Sequence, residues 1–147
     1  MIIDSHCHLE YEPMSLTLKE TVSRANKEGV KFLLTISTTD NSLKKILKIT
    51  SDFKCVYGTY GIHPHEAKNH QNIKSAEILK KINLSKKIIG IGETGLDFYY
   101  NHSEKKDQMK SFEEHINAAQ SSNLPLIVHT RSAEAETLDL LKKKKKE

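Results

Sequence analysis

The chain has 147 residues, enough for one domain with a real core. Its 37% hydrophobic and 29% charged residues exclude a disordered chain, and no apolar run approaches the ~18 residues that a membrane span needs. The formal charge of +4 resides in a basic tail at 142–147, five lysines and one glutamate, which reads as a solvated end and weakens the case for a basic nucleic-acid-binding face.

The N-terminus lacks the basic, apolar and small-residue order of a secretory leader. Cys7 and Cys55 are the two cysteines and fall on separate predicted strands, which is no disulfide framework. A soluble, cytoplasmic protein with two buried, inert thiols is the expectation.

In chain order, apolar stretches at 1–8, 31–37, 55–63, 87–96 and 125–130 predict five short buried strands. Helical spacing fills the gaps. Leu18, Val22 and Ala25 share one face, closed by Gly29 as a C-cap. Leu43, Ile46, Leu47 and Thr50 follow Asp40, a good N-cap. A third helix carries Ile78, Leu79 and Ile82, a fourth Met109, Phe112, Ile116 and Ala119, and a fifth Ala135, Leu138 and Leu141. Pro125 opens the last strand, where a missing N–H is tolerated. Five βα units with nearly continuous apolar strands imply parallel pairing under a helical layer. Closed barrels and open α/β sheets both place their sites at strand C-terminal ends. A closed barrel takes eight such units and about 200 residues or more.

Residue types that bind metal collect at those ends. In DSHCHLE, residues 4–10, alternation along a strand puts His6 and His8 on one face and turns Cys7 to the other. Two imidazoles on one face can converge on one ion, although an H-x-H pair also arises by chance at a strand end. Glu93 follows an apolar strand in IIGIGETGLDFYY, at a glycine-rich turn, and a carboxylate can bridge two ions where an imidazole cannot. A lone glutamate there is ordinarily a surface residue. His129 ends the apolar stretch of LPLIVHTR, with Arg131 two residues on along the same face. Three of five predicted strands thus end in a ligand-type residue. Such a set suits zinc, manganese or magnesium with positions open to water.

GIHPHE, residues 61–66, holds His63 and His65 around Pro64. They read equally as contacts to substrate or phosphate and as ordinary loop histidines. Asp97 reads as a carboxylate that orients Arg131 or a ligand histidine, or as a turn former. Tyr99, Tyr100 and Phe98 read as a cleft wall or as loop packing. His70, His102 and His115 show no partner pattern. No G-x-S-x-G elbow and no G-x-x-x-x-G-K-[ST] phosphate loop occurs.

IDSHCHL, GIHPHE, IGETGLDFYY and LPLIVHTR, in this order and spacing, resemble the TatD family of metal-dependent deoxyribonucleases, over nearly the whole chain to Leu141. The resemblance implies an α/β fold of the (β/α)8 TIM-barrel type, here about its first five βα units, over residues 1–141. It implies two divalent metal ions (Zn, Mn or Mg) and hydrolysis of phosphodiester bonds, with DNA trimmed from its 3′ end. His6 and His8 match ligands of one metal, Glu93 a bridging, catalytic ligand and His129 a ligand of the second. His63, His65 and Arg131 would hold phosphate, and Asp97 would support the ligands. The family's further histidine from the sixth strand and its aspartate from the last have no counterpart here. The expectation is accordingly a truncated, inactive chain, interrupted near its lysine tract and prone to self-association through an open barrel edge. The competing readings are a non-catalytic metal-binding fragment and a related metallohydrolase of a small ester, amide or phosphoester.

Overall fold

The computed structural model describes residues 1–145. Five strands and five helices alternate: β1 (Ile2–Cys7), α1 (Leu18–Lys27), β2 (Val30–Thr35), α2 (Asp40–Asp52), β3 (Val56–Tyr60), α3 (Ser75–Ile82), β4 (Ile88–Asp97), α4 (Lys105–Ser122), β5 (Leu126–Arg131) and α5 (Glu134–Lys145). Short 3-10 helices at Met14–Thr17 and Pro64–Asn69 follow β1 and β3. All neighbouring strands pair in parallel, in the order β1-β2-β3-β4-β5. The sheet curls as five βα units of the TIM-barrel type, with the helices outside. Within the expected basic tail at 142–147, residues 142–145 continue α5. Residues 146 and 147 lie outside the described residues.

The core fills the space between sheet and helices. Leu43, Ile46, Ile78 and Ile82 of the helices bury against Tyr60, Ile88 and Ile91 of β3 and β4. Leu9, Val22, Leu33, Ile49 and Val56 form a second cluster near β1. Leu96, Phe112, Ile116, Ala133 and Leu140 form a third near β5. The helical spacings read from the sequence therefore mark the faces that meet the sheet.

Three expectations need correction. The first and last strands are not buried: β1 and β5 end the strand order, and Ile2 and Ile3 are more than half exposed. On the strand faces away from the helices, Phe32 and Ile89 also reach solvent. The N-cap of α2 is Thr39, not Asp40. The Thr39 side chain accepts from the Ser42 N–H while the Ser42 hydroxyl accepts from the Thr39 N–H, a reciprocal capping box. Asp40 is instead drawn to Tyr60, whose hydroxyl donates to it at 2.6 Å, and to Lys81 at 3.2 Å.

Finally, β4 does not turn at its glycines but pairs with β5 through Asp97. Gly95, at φ +139°, makes this possible, because a Cβ there would sit 2.0 Å from the His129 carbonyl oxygen. Only glycine combines that backbone with so close an approach.

His115, which showed no partner pattern, is a buried anchor. Its Nδ1–H donates to the Ser111 carbonyl (2.7 Å) and its Nε2 accepts the Ile62 N–H (3.1 Å), tying α4 to the segment after β3. Burial holds its pKa down at about 4 against the ordinary 6.5. The unfolded chain therefore binds a proton here at pH values where the folded chain does not, so stability falls as pH drops from about 6.5 toward 4. The full effect of such a shift is about 3 kcal/mol. Urea midpoints measured from pH 7 to pH 4.5 should fall less steeply in His115→Gln than in the unsubstituted chain, even though the variant starts less stable at pH 7.

Candidate metal centre

The parallel sheet sends the C-terminal ends of all five strands to one rim, and four of them contribute histidine or carboxylate side chains there. β1 ends with His6 and Cys7 and leads directly into His8. The His6 Nε2 lies 3.4 Å from Glu93 Oε2, and the His8 Nε2 lies 4.0 Å from the same oxygen. Between them Cys7 turns the other way and donates its thiol to the Leu34 carbonyl at 3.3 Å. From β5, His129 places Nδ1 3.2 Å from the other Glu93 oxygen, Oε1. Glu93 itself is pinned through its backbone, whose N–H donates to the Ser37 carbonyl at 2.8 Å.

Two overlapping donor groups result. His6, His8 and Glu93 form one, and His63, Glu93 and His129 the other; in each, the ligand atoms lie within 4.8 Å of one another. Nitrogen and carboxylate donors at this spacing fit a divalent cation. A cleft of about 270 Å³, lined in part by His8, Tyr11, Thr38, His63, His65 and Glu93, opens beside them.

Asp97 supports this arrangement from beneath. Its Oδ2 lies 2.8 Å from His65 Nε2 and 3.1 Å from His129 Nε2, while Oδ1 accepts the N–H groups of Tyr99 and Tyr100. Of the partners offered by the sequence, Asp97 thus meets histidines. Arg131 sets its guanidinium over the Tyr100 ring, 5.0 Å from the centroid. His63 packs its ring against His65 and His129 at 4.4 and 4.6 Å. His102, for which the sequence offered no partner, stacks on Tyr100 and lies 4.5 Å from the His65 ring.

The electrostatics follow from these contacts. Burial works against ionisation of Glu93 and Asp97, yet both stay below their ordinary values. The His129 hydrogen bond and neighbouring histidines outweigh burial at Glu93; the Tyr100 N–H and the hydrogen bonds of His65 and His129 do so at Asp97. The Glu10 hydrogen bond raises His8, and the Glu93 hydrogen bond raises His129. His63 goes down to about 4, through burial and the neighbouring His129.

Glu10 is the polar residue that sequence reading passed over. It is fully buried, with Oε1 3.3 Å from His8 Nδ1 and Oε2 accepting the Thr35 hydroxyl at 2.8 Å. The signal was present, since Glu10 continues the alternation of His6 and His8.

Parallel βα units with histidine and carboxylate donors gathered on the carboxyl rim define a TIM-barrel-type scaffold with a candidate divalent-metal centre. A family profile described as TatD related DNase matches residues 3–147, and the chain belongs to that family. It is 36% identical over 146 residues to an uncharacterised metal-dependent hydrolase of Buchnera aphidicola subsp. Baizongia pistaciae, covering 96% of this chain and 54% of that protein. It is 33% identical to the metal-dependent hydrolase YcfH of Escherichia coli K12, covering 98% of this chain and 54% of YcfH. At 29% identity over 122 residues it also matches the 3′-5′ ssDNA/RNA exonuclease TatD of Citrobacter koseri, covering 83% of this chain and 46% of that one. The crystal structure of YjjV, a TatD homologue from E. coli K12, superposes with a TM-score of 0.89 at 24% identity, over 97% of this chain and 56% of YjjV. The chain spans about half the length of the curated relatives it matches.

The placement of Cys7 has a chemical consequence. Burial, reinforced by Asp4 and Glu10, pushes its thiol up to about 12, so almost none is thiolate at pH 8. A thiol reagent at pH 8 should label Cys7 at least tenfold more slowly in the folded chain than in urea, as read by mass spectrometry of the peptides.

Proposed function

We propose that this chain is the metal-binding portion of a metal-dependent hydrolase of phosphodiester bonds in DNA, with His6, His8 and Glu93 holding one divalent cation and Glu93 and His129 a second. The observation that carries the reading is the division of one carboxyl group, with Oε2 facing His6 and His8 and Oε1 facing His129. Carboxylate oxygens aimed at two separate histidine sets suit a bridge between two cations. Family membership and the exonuclease name of one relative support DNA as the substrate class.

Divalent cations held there would supply Lewis-acid polarisation of the phosphodiester and neutralise charge on its leaving group. The remaining roles fall to the chain itself. Asp97 holds the His65 and His129 rings in place through Oδ2. His63, kept neutral near pH 7 by burial, can offer a hydrogen bond without adding charge. Arg131, laid on Tyr100, would hold a phosphate by charge-assisted hydrogen bonds, and His63 and His65 would meet it from the other strand.

Calorimetric titration with Mn²⁺ or Zn²⁺ tests the assignment. His6→Ala, His8→Ala and Glu93→Ala should each weaken binding by at least tenfold, with Glu93→Ala reducing both sites. Unchanged stoichiometry and affinity in all three variants would overturn it. Because His8 and His129 are raised above the ordinary 6.5, protons compete for these rings around neutral pH. Affinity should therefore rise from pH 6 to pH 8, with proton release visible as a buffer-dependent heat.

By the resemblance, a histidine from a sixth strand and an aspartate from the last complete the family's site, and the 147 residues hold no counterpart of either. On its own this chain should bind metal and yet degrade a 3′-labelled single-stranded oligonucleotide no faster than its Glu93→Ala variant. Metal-dependent degradation that disappears in His129→Ala would contradict that expectation.

A further inference from the structure

A carboxyl group removed from water is expensive unless its oxygens find donors. Glu10 is fully buried, and its environment looks arranged around one task. Thr35 Oγ1 accepts the Leu9 N–H at 3.1 Å, which leaves its own hydrogen for Glu10 Oε2 at 2.8 Å. Thr35 thus satisfies Oε2, and the other oxygen, Oε1, stands 3.3 Å from His8 Nδ1. The Ile36 carbonyl oxygen lies 3.1 Å from the same nitrogen. A carbonyl only accepts, so Nδ1 carries the hydrogen. The lone pair of the ring then belongs to Nε2, the nitrogen that looks toward Glu93 Oε2.

We propose that Glu10 is a positioning residue of the metal centre: with the Ile36 carbonyl it locks His8 as the Nδ1–H tautomer, and its charge makes the opposite nitrogen, Nε2, a stronger donor to a divalent cation. Glu10 holds no metal itself. The inference rests on the metal-binding reading above for its purpose, but its structural content is a statement about the metal-free ring. Carboxylates placed behind ligand histidines generally act in this way, and their loss costs ~10- to 100-fold in metal affinity. A tie between β2 and the turn after β1 through Thr35 would be the purely structural alternative.

The full chain, labelled with ¹⁵N, distinguishes these. In the metal-free protein at pH 9, where the ring is neutral, long-range ¹H–¹⁵N spectra should show His8 with a protonated Nδ1 and an unprotonated Nε2. Glu10→Gln, which keeps size and removes charge, should leave Nδ1 protonated by way of the Ile36 carbonyl but move the ¹⁵N shifts of both ring nitrogens, while circular dichroism stays unchanged. Zinc titrated into the same variant should bind ~10- to 100-fold more weakly than to the unsubstituted chain. Thr35→Val removes the link from β2 to the turn after β1 but leaves Glu10 beside His8. It should lower the urea midpoint while changing zinc affinity less than threefold.

Glu10→Gln with unchanged ring ¹⁵N shifts and an affinity within twofold would overturn the proposal. So would an equal loss of zinc affinity in Thr35→Val, which would make Glu10 a structural tie. If the unsubstituted chain takes no zinc, the metal-binding reading fails, and the metal-free spectra alone decide the role of Glu10.

Discussion

Parallel pairing is the constraint from which the site follows. When every strand runs the same way, every carboxyl end reaches the same rim, and residues far apart in sequence become neighbours there. His6 and Glu93 are 3.4 Å apart for this reason, as are Glu93 and His129 at 3.2 Å. Glu93 can serve both because β4 adjoins β5, while the curl of the sheet brings the end of β1, three strands away, back toward it. Its two oxygens thereby face residues from the two ends of the strand order.

The same pairing imposes a cost on β4. To reach Asp97 as a strand it must lie against β5 along its outer half, and the His129 carbonyl leaves no room for a side chain at position 95. Gly95 resolves that conflict. Gly95 therefore admits a backbone that stays paired from Thr94 to Asp97, where the sequence alone suggests a turn. The outcome is a strand long enough to carry both Glu93 and Asp97, four residues apart, to His129.

What could be read from the sequence and what could not divide along a physical line. Apolar runs and helical spacing report burial against a neighbour, so the five strands and the core faces of the helices were visible from Ile46, Ile78, Ile91 or Phe112. The grouping of His6, His8, Glu93 and His129 was visible because each follows an apolar run, and one rim collects such ends. Contacts made by polar groups across the fold left no periodic trace. Thr39 and Asp40 are both good caps, and only the reach of Tyr60 and Lys81 assigns Asp40 elsewhere. His115 lies beside an apolar helical face, yet its partners are a carbonyl and an amide that no composition rule marks. The exposure of Ile2 and Ile3 depends on which strands stand at the ends of the order, a property of the whole sheet. Glu10 is the intermediate case, on the right alternation but with a residue type that ordinarily points to water.

The bond between His115 and the Ile62 amide reaches further than its own energy. It grips the main chain one residue before His63, so the height of that ring above the rim is set from the outer helical layer. An outward slide of α4 would carry His63 with it. The rim is thus mechanically geared to a helix on the far side of the sheet. Substitutions along the buried stripe of α4 would alter spacing among the histidines without touching any of them, while its solvent stripe remains free to vary.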